Sequence, residues 1–450
     1  MTLGWFSKLK IMGSLRSNIL RNNILFSGIL KVVAMCCAFL IVPVTLGYLK
    51  NDVYGIWLTI SSMLAWFTFF DIGLGNGLRN YLAISISEGD FKKGQMYLST
   101  TITILSGIAL LLMLLCSVTI YIVNPNVIFN SDSVDATTLR TAMYIAVFAT
   151  LILFVAKIVG IVFIAMQRYA LNDLMNTVGS VVAMLIIYIL TKTTDSNLLY
   201  VVSAFTITPV IVFFLGAIPL FRKYPQLKPQ LSMVDFGYAK TVLSKSMGFF
   251  FIQITSCLVI FGASNFFITQ FCGPSSVTIY NIAYKYFHLV AIAYGVVLAP
   301  IWNAYTDAFV KRDNYWIKSM LRRTLIFWLF SVIACLIMLF FCDWFYSLWI
   351  GNQITVPFNV SLAVMLYIIF FNLNCCATTL INGSNKIRIQ IYVSGLVTIL
   401  YVAIVALFGK RYGMVSVVYS MAFCYAIMSL VHLYQCFLIV NKKTVGVWDK

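Results

Sequence analysis

Residues 53–83 read VYGIWLTISSMLAWFTFFDIGLGNGLRNYLA, and the way this stretch divides sets the reading of the whole chain. Residues 53–70 carry no charge and approach the length of about 20 residues that a membrane-spanning helix needs. The run then meets Asp71, and Gly73, Gly75 and Gly77 alternate with other residues before Arg79. Glycine tolerates strained backbone and lets neighbouring backbones approach closely. An acid in the last turns of a membrane helix is expensive, so it faces a partner or a wet cavity. The stretch reads either as a helix end that frays at the interface or as a packed hinge.

Working outward, the chain of 450 residues is 62% hydrophobic and only 10% charged, with a mean hydropathy of +0.95. Soluble domains carry roughly 25% charged residues. No soluble core absorbs this much apolar surface, so a polytopic membrane protein is the class that fits. Of the 11 cysteines, Cys272 alone lies outside the apolar runs, and no CxxC occurs. They read as small apolar packers rather than a disulfide or zinc framework. The first apolar run is too long for a signal-peptide core and is expected to stay as an anchor.

Continuous apolar runs, unlike the alternating pattern of barrel strands, indicate spanning helices. Twelve runs cover roughly residues 24–48, 53–74, 97–122, 141–164, 171–191, 198–221, 247–269, 277–304, 324–342, 357–380, 388–408 and 413–438. Of the 31 Lys and Arg residues, 23 fall in the segments on the side shared by both termini and 5 on the other side. This bias places both termini in the cytoplasm and accounts for most of the formal net charge of +18, which is therefore not a nucleic-acid surface. The expected fold is all-α, with twelve transmembrane helices in two six-helix lobes. A cytoplasmic N-terminal segment over 1–23, suited to lie as an amphipathic helix on the membrane surface, precedes an N-lobe over 24–221. A basic cytoplasmic linker over 222–246, a C-lobe over 247–438 and a cytoplasmic tail over 439–450 follow. An offset of 224 residues sets Val53 on Val277, and the offset shrinks to about 216 where Gly179 meets Gly395. Six spans per half is an even number, so the halves are related by a pseudo-two-fold along the membrane normal. Internal duplication of this kind suits alternating-access carriers more than channels or enzymes.

Lys31, Lys157 and Lys285 lie inside spans. An ammonium at mid-bilayer costs roughly 2.5–3.5 kcal/mol on the mildest scale, so each needs a reason. Snorkelling to the interface is one. A lining for an anionic ligand is the other, and Asp71 is the acid that this reading singles out in the spans. The lysines then make a cationic lining that a phosphate-bearing ligand would neutralise. Pro43, Pro209 and Pro300 sit within spans and permit kinks. Tyr280, Asn281, Tyr284, Tyr286 and His288 surround Lys285, and Asn303, Tyr305 and Asp307 close the same run. Amides and phenols there suit sugar hydroxyls, although aromatic residues near helix ends also serve as membrane-interface belts. His288 and His432 lack metal-ligand spacing, and the chain contains no GxSxG, P-loop or HExxH motif.

The segment FFDIGLGNGLRNYLA (69–83), with APIWNAYTDAF (299–309) and LINGSNKIRIQ (380–390), resembles the polysaccharide transporter family of Wzx-type O-antigen flippases. That family belongs to the multidrug/oligosaccharidyl-lipid/polysaccharide exporter superfamily. The likeness extends over nearly the whole chain, and its first segment is the most specific. It implies a non-enzymatic, cofactor-free protein of the bacterial cytoplasmic (inner) membrane. Such a protein moves undecaprenyl-pyrophosphate-linked oligosaccharide, the repeat unit of O-antigen lipopolysaccharide or a related surface polysaccharide, from the inner to the outer leaflet. The route is a V-shaped, cationic central cavity lined largely by spans 1, 2, 7 and 8. On this reading Lys31 and Lys285 meet the pyrophosphate, Arg79 recruits it at the inner mouth, and Lys157 is a weaker fourth contact. Tyr280, Asn281, Tyr284 and Asn303 face the glycan, while Asp71, Gly73, Gly75 and Gly77 form a hinge or coupling element. The resemblance further implies H+ or Na+ coupling, contact with membrane lipids, and a polysaccharide polymerase and chain-length regulator as partners.

Three other readings compete. A multidrug and toxin extruder of the same superfamily moves organic cations and needs carboxylates in its cavity, where this chain presents excess cations. A lipid II flippase shares the pyrophosphate logic but often has more than twelve spans. A membrane glycosyltransferase or polymerase acting on the same lipid-linked glycan tends to carry a large outer loop, whereas the longest outer loop here runs only from about Asn124 to Leu139.

Overall fold

The computed structural model describes residues 3–71, 74–238, 240 and 262–449, with side chains from Phe26 onward except those of residues 68, 69, 71, 76, 303 and 352. Most of the run expected at 247–269 and the end of the linker lie outside the described residues. Among the described residues every regular element is helical.

The first long helix, α1 (Leu3–Ala65), holds the first apolar run and most of the second, joined at a kink where Lys50 takes φ 64 and ψ 174. A 3-10 stretch, Trp66–Asp71, follows, and α2 (Leu74–Glu88) resumes after it. The glycine-bearing segment of residues 71–77 therefore marks a change of helix. Next come α3 (Phe91–Ile122), the short α4 (Pro125–Phe129), α5 (Ala136–Ala156), α6 (Ile158–Ala165), α7 (Tyr169–Thr193) and α8 (Leu198–Lys223). Beyond the linker stand α9 (Ser264–Cys272), α10 (Pro274–Val310), α11 (Asn314–Phe340), α12 (Cys342–Ile350), α13 (Phe358–Ser384) and α14 (Arg388–Val440). The last of these is again two helices joined at a kink, at Gly413 with φ 64.

Local chemistry opens several of these helices. Asp90 accepts from the Lys93 backbone N–H, Asp135 from that of Thr138 and Asn197 from that of Leu199, which satisfies donors left bare at helix starts. Hydrogen bonds from Lys93 hold the Asp90 carboxyl below the usual carboxylate range, and those from Thr138 do the same for Asp135. Nine helices among the described residues are long and apolar enough to cross a membrane. Leu110, Leu111, Leu114 and Leu115 of α3 stand exposed around its outside, which is unfavourable in water and neutral against lipid tails. The chain is a multi-pass membrane protein.

Two compact units share the chain: Met1–Lys50, Phe70–Pro125 and Val134–Met247 in the first, Asn51–Phe69, Asn126–Ser133 and Gly248–Lys450 in the second. The division thus falls at the Lys50 kink and in the 3-10 stretch as well as at the linker. In the first unit Leu74, Leu78 and Leu82 of α2 pack with Ile158 and Val162 of α6, Leu98 of α3 and Phe213 of α8. The first part of the linker is strapped onto α3. Gln95 Nε2 donates to the Lys228 carbonyl at 2.7 Å, Gln230 N to Ser99 Oγ at 3.0 Å and Asp235 N to Thr100 Oγ1 at 2.8 Å. Tyr238 closes the strap against the rings of Tyr81 and Tyr97, 5.4 and 4.6 Å away, and burial pushes its phenol up to about 12.

The second unit is centred on α13, the most buried of the candidate spans. Gly383 lets α13 lie against α10 so closely that a Cβ there would stand 2.6 Å from Tyr305 Cβ. Tyr305 shares a core with Leu380 and Ile381, so the sequence segments 299–309 and 380–390 meet as packing surfaces. Segments from the first half of the chain are also built into this unit. Thr59 Oγ1 and Thr269 Oγ1 are 2.7 Å apart, Asn265 Nδ2 donates to the Leu58 carbonyl at 3.3 Å, and Thr278 Oγ1 to that of Asn51 at 2.9 Å. Gly55 approaches Pro274 so tightly that a Cβ would lie 1.9 Å from its carbonyl oxygen, and Gln270 Nε2 donates to the Val127 carbonyl at 3.0 Å.

Candidate functional site

In the first unit, the membrane part of α1 runs alongside α7. Ser27 Oγ donates to Asp173 Oδ2, Thr177 Oγ1 reaches the Leu30 carbonyl at 3.3 Å, and Cys37 Sγ reaches that of Ser180 at 3.4 Å. At the far end Tyr48 OH donates to the Asp195 carbonyl at 2.7 Å. Lys31 stands exposed on α1 one turn beyond Ser27. Ion pairs among the described residues join Lys93 to Asp90, Lys311 to Asp307 and Lys386 to Asp449, and none involves Lys31, Lys157 or Lys285. Arg79 is exposed on α2. Lys157 is exposed at the joint where α5 ends and α6 begins. An apolar groove of about 410 Å³ lies along α3, α5, α6 and α8, lined by residues such as Ile102, Val155, Val159 and Phe213; Lys157 is not part of it. Gly75 is buried and Gly77 half-buried within α2; Gly73 and the side chain of Asp71 lie outside the described residues.

In the second unit, Tyr280, Tyr284 and His288 form one stripe along α10 because they recur at four-residue spacing. Their rings follow at 5.8 and 4.8 Å, the second pair stacked, and Tyr367 of α13 continues the stripe 6.4 Å from Tyr284. Tyr425 of α14 stands edge-on to Tyr367 at 5.3 Å. Tyr280 is buried, and Asn281 Nδ2 donates to Asn265 Oδ1 at 2.9 Å and to the Val277 carbonyl at 2.8 Å. Lys285 is half-buried on the turn beyond Tyr280. The side chain of Asn303 lies outside the described residues. The sequence-derived residues are thus shared out: Lys31, Arg79 and Lys157 in the first unit, Tyr280, Asn281, Tyr284, Lys285 and Asn303 in the second.

Asp173 and the buried amides Asn372 and Asn374 went unread in the sequence. Asp173 lies near the start of α7, where its neighbour Asn172 makes it look like the tail of a loop, yet it faces α1. Between α13 and α14, fully buried His432 has its Nδ1 2.7 Å from Asn374 Oδ1. Asn372 is also buried, with no hydrogen-bond partner for its amide among the described residues. No group of three or more His, Cys, Asp or Glu side chains suited to a metal occurs among the described residues.

The helical arrangement matches that of solved membrane proteins. The chain superposes on an inward-facing multidrug-resistance MATE family transporter of the MOP superfamily with a TM-score of 0.76, at 12% identity, covering 92% of this chain and 96% of that one. On the lipid II flippase MurJ in an inward closed conformation the TM-score is 0.68, at 14% identity, with 94% of each chain covered. No protein-family profile matches. In sequence the chain is similar to a Salmonella typhi protein provisionally named an O-antigen transporter, 23% identical over 421 residues that make up 89% of this chain and 92% of that protein. A Yersinia pseudotuberculosis protein provisionally named an O-antigen export protein is 22% identical over 293 residues, 64% of this chain and 65% of its own. The resemblance to O-antigen transporters read from residues 69–83, 299–309 and 380–390 is thereby supported from both sequence and fold.

Proposed function

We propose that this protein is a flippase that carries undecaprenyl-pyrophosphate-linked oligosaccharide across the bacterial cytoplasmic membrane, from the inner to the outer leaflet, by alternating access. Similarity to a protein named for O-antigen transport, along nine-tenths of the chain, supports the substrate class. The observation that carries the mechanism is the exposed Lys31 and half-buried Lys285 within membrane helices, neither ion-paired among the described residues. A membrane lysine is costly unless something neutralises it, and the pyrophosphate common to all such lipids is a suitable anion. Arg79, exposed on α2, gathers the same group, and Lys157 adds a fourth charge. Tyr284 and its neighbours on α10 take the glycan. With the kinked helices counted as two spans each and the apolar run of the sequence over 247–269 counted as another, this reading gives twelve spans in two lobes, both termini cytoplasmic. The fold also serves multidrug carriers, and export of an organic cation is the competing reading.

The test is complementation of a deletion strain by wild type, Lys31→Ala, Lys285→Ala and Lys285→Arg, reading surface polysaccharide and the leaflet in which the lipid-linked repeat unit resides. Flipping through a cationic site predicts that the deletion strands the lipid on the cytoplasmic leaflet, that either alanine variant reproduces this, and that arginine largely rescues it. Normal export in the deletion strain refutes the function. Full complementation by both alanine variants at normal protein level refutes the site.

A further inference from the structure

Lys31 and Asp173 are the charged residues of their membrane segments, α1 from Phe26 to Leu49 and α7 from Tyr169 to Thr191. The helices that flank α7, α6 and the membrane part of α8 to Phe221, carry none; nearby charge comes from Lys157 at the head of α6 and from Arg168 before α7. The contacts place Lys31 one helical turn from the Ser27–Asp173 bond. Ser27 on one turn of α1 binds Asp173, and Leu30 on the next turn meets Thr177, one turn along α7. Lys31 follows Leu30 directly. Side chains four apart on a helix stand roughly 5–6 Å from one another at Cβ, and each leans toward the helix N-terminus. The four-carbon stem of Lys31 therefore leans toward the level of Ser27 and of the carboxylate that Ser27 holds. In this structure the pair is open: Lys31 is exposed, and Asp173 keeps its contact with Ser27.

We propose that Asp173 is the resident counter-ion of Lys31. In the empty carrier the Lys31 ammonium turns back to Asp173, and in the loaded carrier it turns out to the substrate anion while Ser27 holds the carboxylate. Asp173 thus competes with the substrate for one cation. The carrier can then return empty without an unneutralised ammonium in the membrane, and release of the substrate is favoured by an internal acceptor for the charge it leaves. This inference rests on the pyrophosphate reading for its loaded state but not for its empty state, which separates the two in a test.

The experiment is peptide-resolved trace labelling of Lys31 with an amine-reactive reagent in purified full-length protein, the surface lysines serving as internal standards, with and without undecaprenyl pyrophosphate. Without lipid, Asp173→Asn is expected to raise Lys31 labelling several-fold, because the amide still accepts from Ser27 but no longer pairs with the ammonium. Ser27→Ala is expected to lower it, because the released carboxylate turns to Lys31. A merely structural role for Asp173 moves both variants in the same direction. Undecaprenyl pyrophosphate is expected to protect Lys31 in wild type and at lower concentration in Asp173→Asn, while flipping by Asp173→Asn falls at least tenfold. Unchanged labelling in Asp173→Asn overturns the counter-ion. Opposite shifts in the two variants with no protection by the lipid in wild type uphold the pairing and overturn the exchange, and with it the substrate reading.

Discussion

Gly55→Ala is expected to be the most damaging single-methyl change in the second unit. The added Cβ would lie 1.9 Å from the Pro274 carbonyl oxygen and 2.5 Å from its carbon, where ordinary contact begins at 3.4 Å, so the two segments must part by about 1.5 Å. Backbone atoms form the obstacle, and no rotamer change relieves it. Overpacking of this kind typically costs about 1–3 kcal/mol. The same movement pulls on the Thr59–Thr269 contact at 2.7 Å and the Asn265–Leu58 bond at 3.3 Å, each worth about 1 kcal/mol. Alanine returns up to about 1 kcal/mol of helix propensity, which leaves a net loss of about 2–4 kcal/mol. Gly107→Ala in α3 meets nothing within 4 Å and isolates the propensity gain. Gly383→Ala, 2.6 Å from Tyr305 Cβ, should fall between them. Melting followed by intrinsic fluorescence in one detergent should rank Gly107→Ala at or above wild type, then Gly383→Ala, then Gly55→Ala. A Gly55→Ala protein that melts with Gly107→Ala would refute the close approach of residues 51–69 to Pro274.

Three further outcomes are expected. Lys50 occupies φ 64 and ψ 174, a region nearly reserved for glycine that costs other residues about 1–3 kcal/mol, so Lys50→Gly should raise the melting temperature; a fall would show that the kink is not strained. Ser99→Ala with Thr100→Val removes the acceptors of Gln230 N and Asp235 N and should speed chymotryptic cleavage after the exposed Phe236 with little change in global melting. Hydrogen bonds from Lys386 and then Thr444 hold the Asp449 carboxyl below its usual range. A depressed carboxylate contributes fully above its unfolded value and loses that contribution as pH falls through the folded one. Docking of residues 446–449 should therefore persist across neutral pH, loosen only below about pH 4, and be lost at neutral pH in Lys386→Ala, as read by hydrogen exchange at those residues.

What the sequence made legible follows from the physics of each signal. A spanning helix must bury some 20 consecutive peptide groups in lipid, so the apolar runs at 97–122, 171–191 and 324–342 reappear within α3, α7 and α11 with shifted ends. The end of the second apolar run fell where its first charge stands, since the 3-10 stretch ends at Asp71 and α2 begins at Leu74, while Gly75 and Gly77 lie inside that regular helix. The Lys50 kink gave no such warning, since a lysine at positive φ is imposed by tertiary context rather than propensity. Apolar periodicity says which faces are buried but not against which partner, so nothing in residues 51–69 or 126–133 reveals that they pack with α9 and α10. Asp173 was hidden by its polar neighbour at the edge of a run; its four-residue spacing to Thr177 on one helix face was the signal that could have found it. The short segments 299–309 and 380–390 carried resemblance, and the structure gives a reason in the seat that Gly383 provides for Tyr305.

The placement of residues 51–69 has a consequence for synthesis. Gly55 leaves the ribosome 219 residues before Pro274, the backbone it is shaped to meet. At about 5–20 residues per second that delay is roughly 11–44 s. For that time the chain is already threading into the membrane while the Thr59 hydroxyl and the Leu58 carbonyl await Thr269 and Asn265. The first half therefore cannot complete its packing as it emerges, and a guardian of unassembled membrane helices has its longest opportunity here. Slowing translation between codons 133 and 262 should lengthen this exposure and lower the yield of folded protein, without a single amino acid being changed.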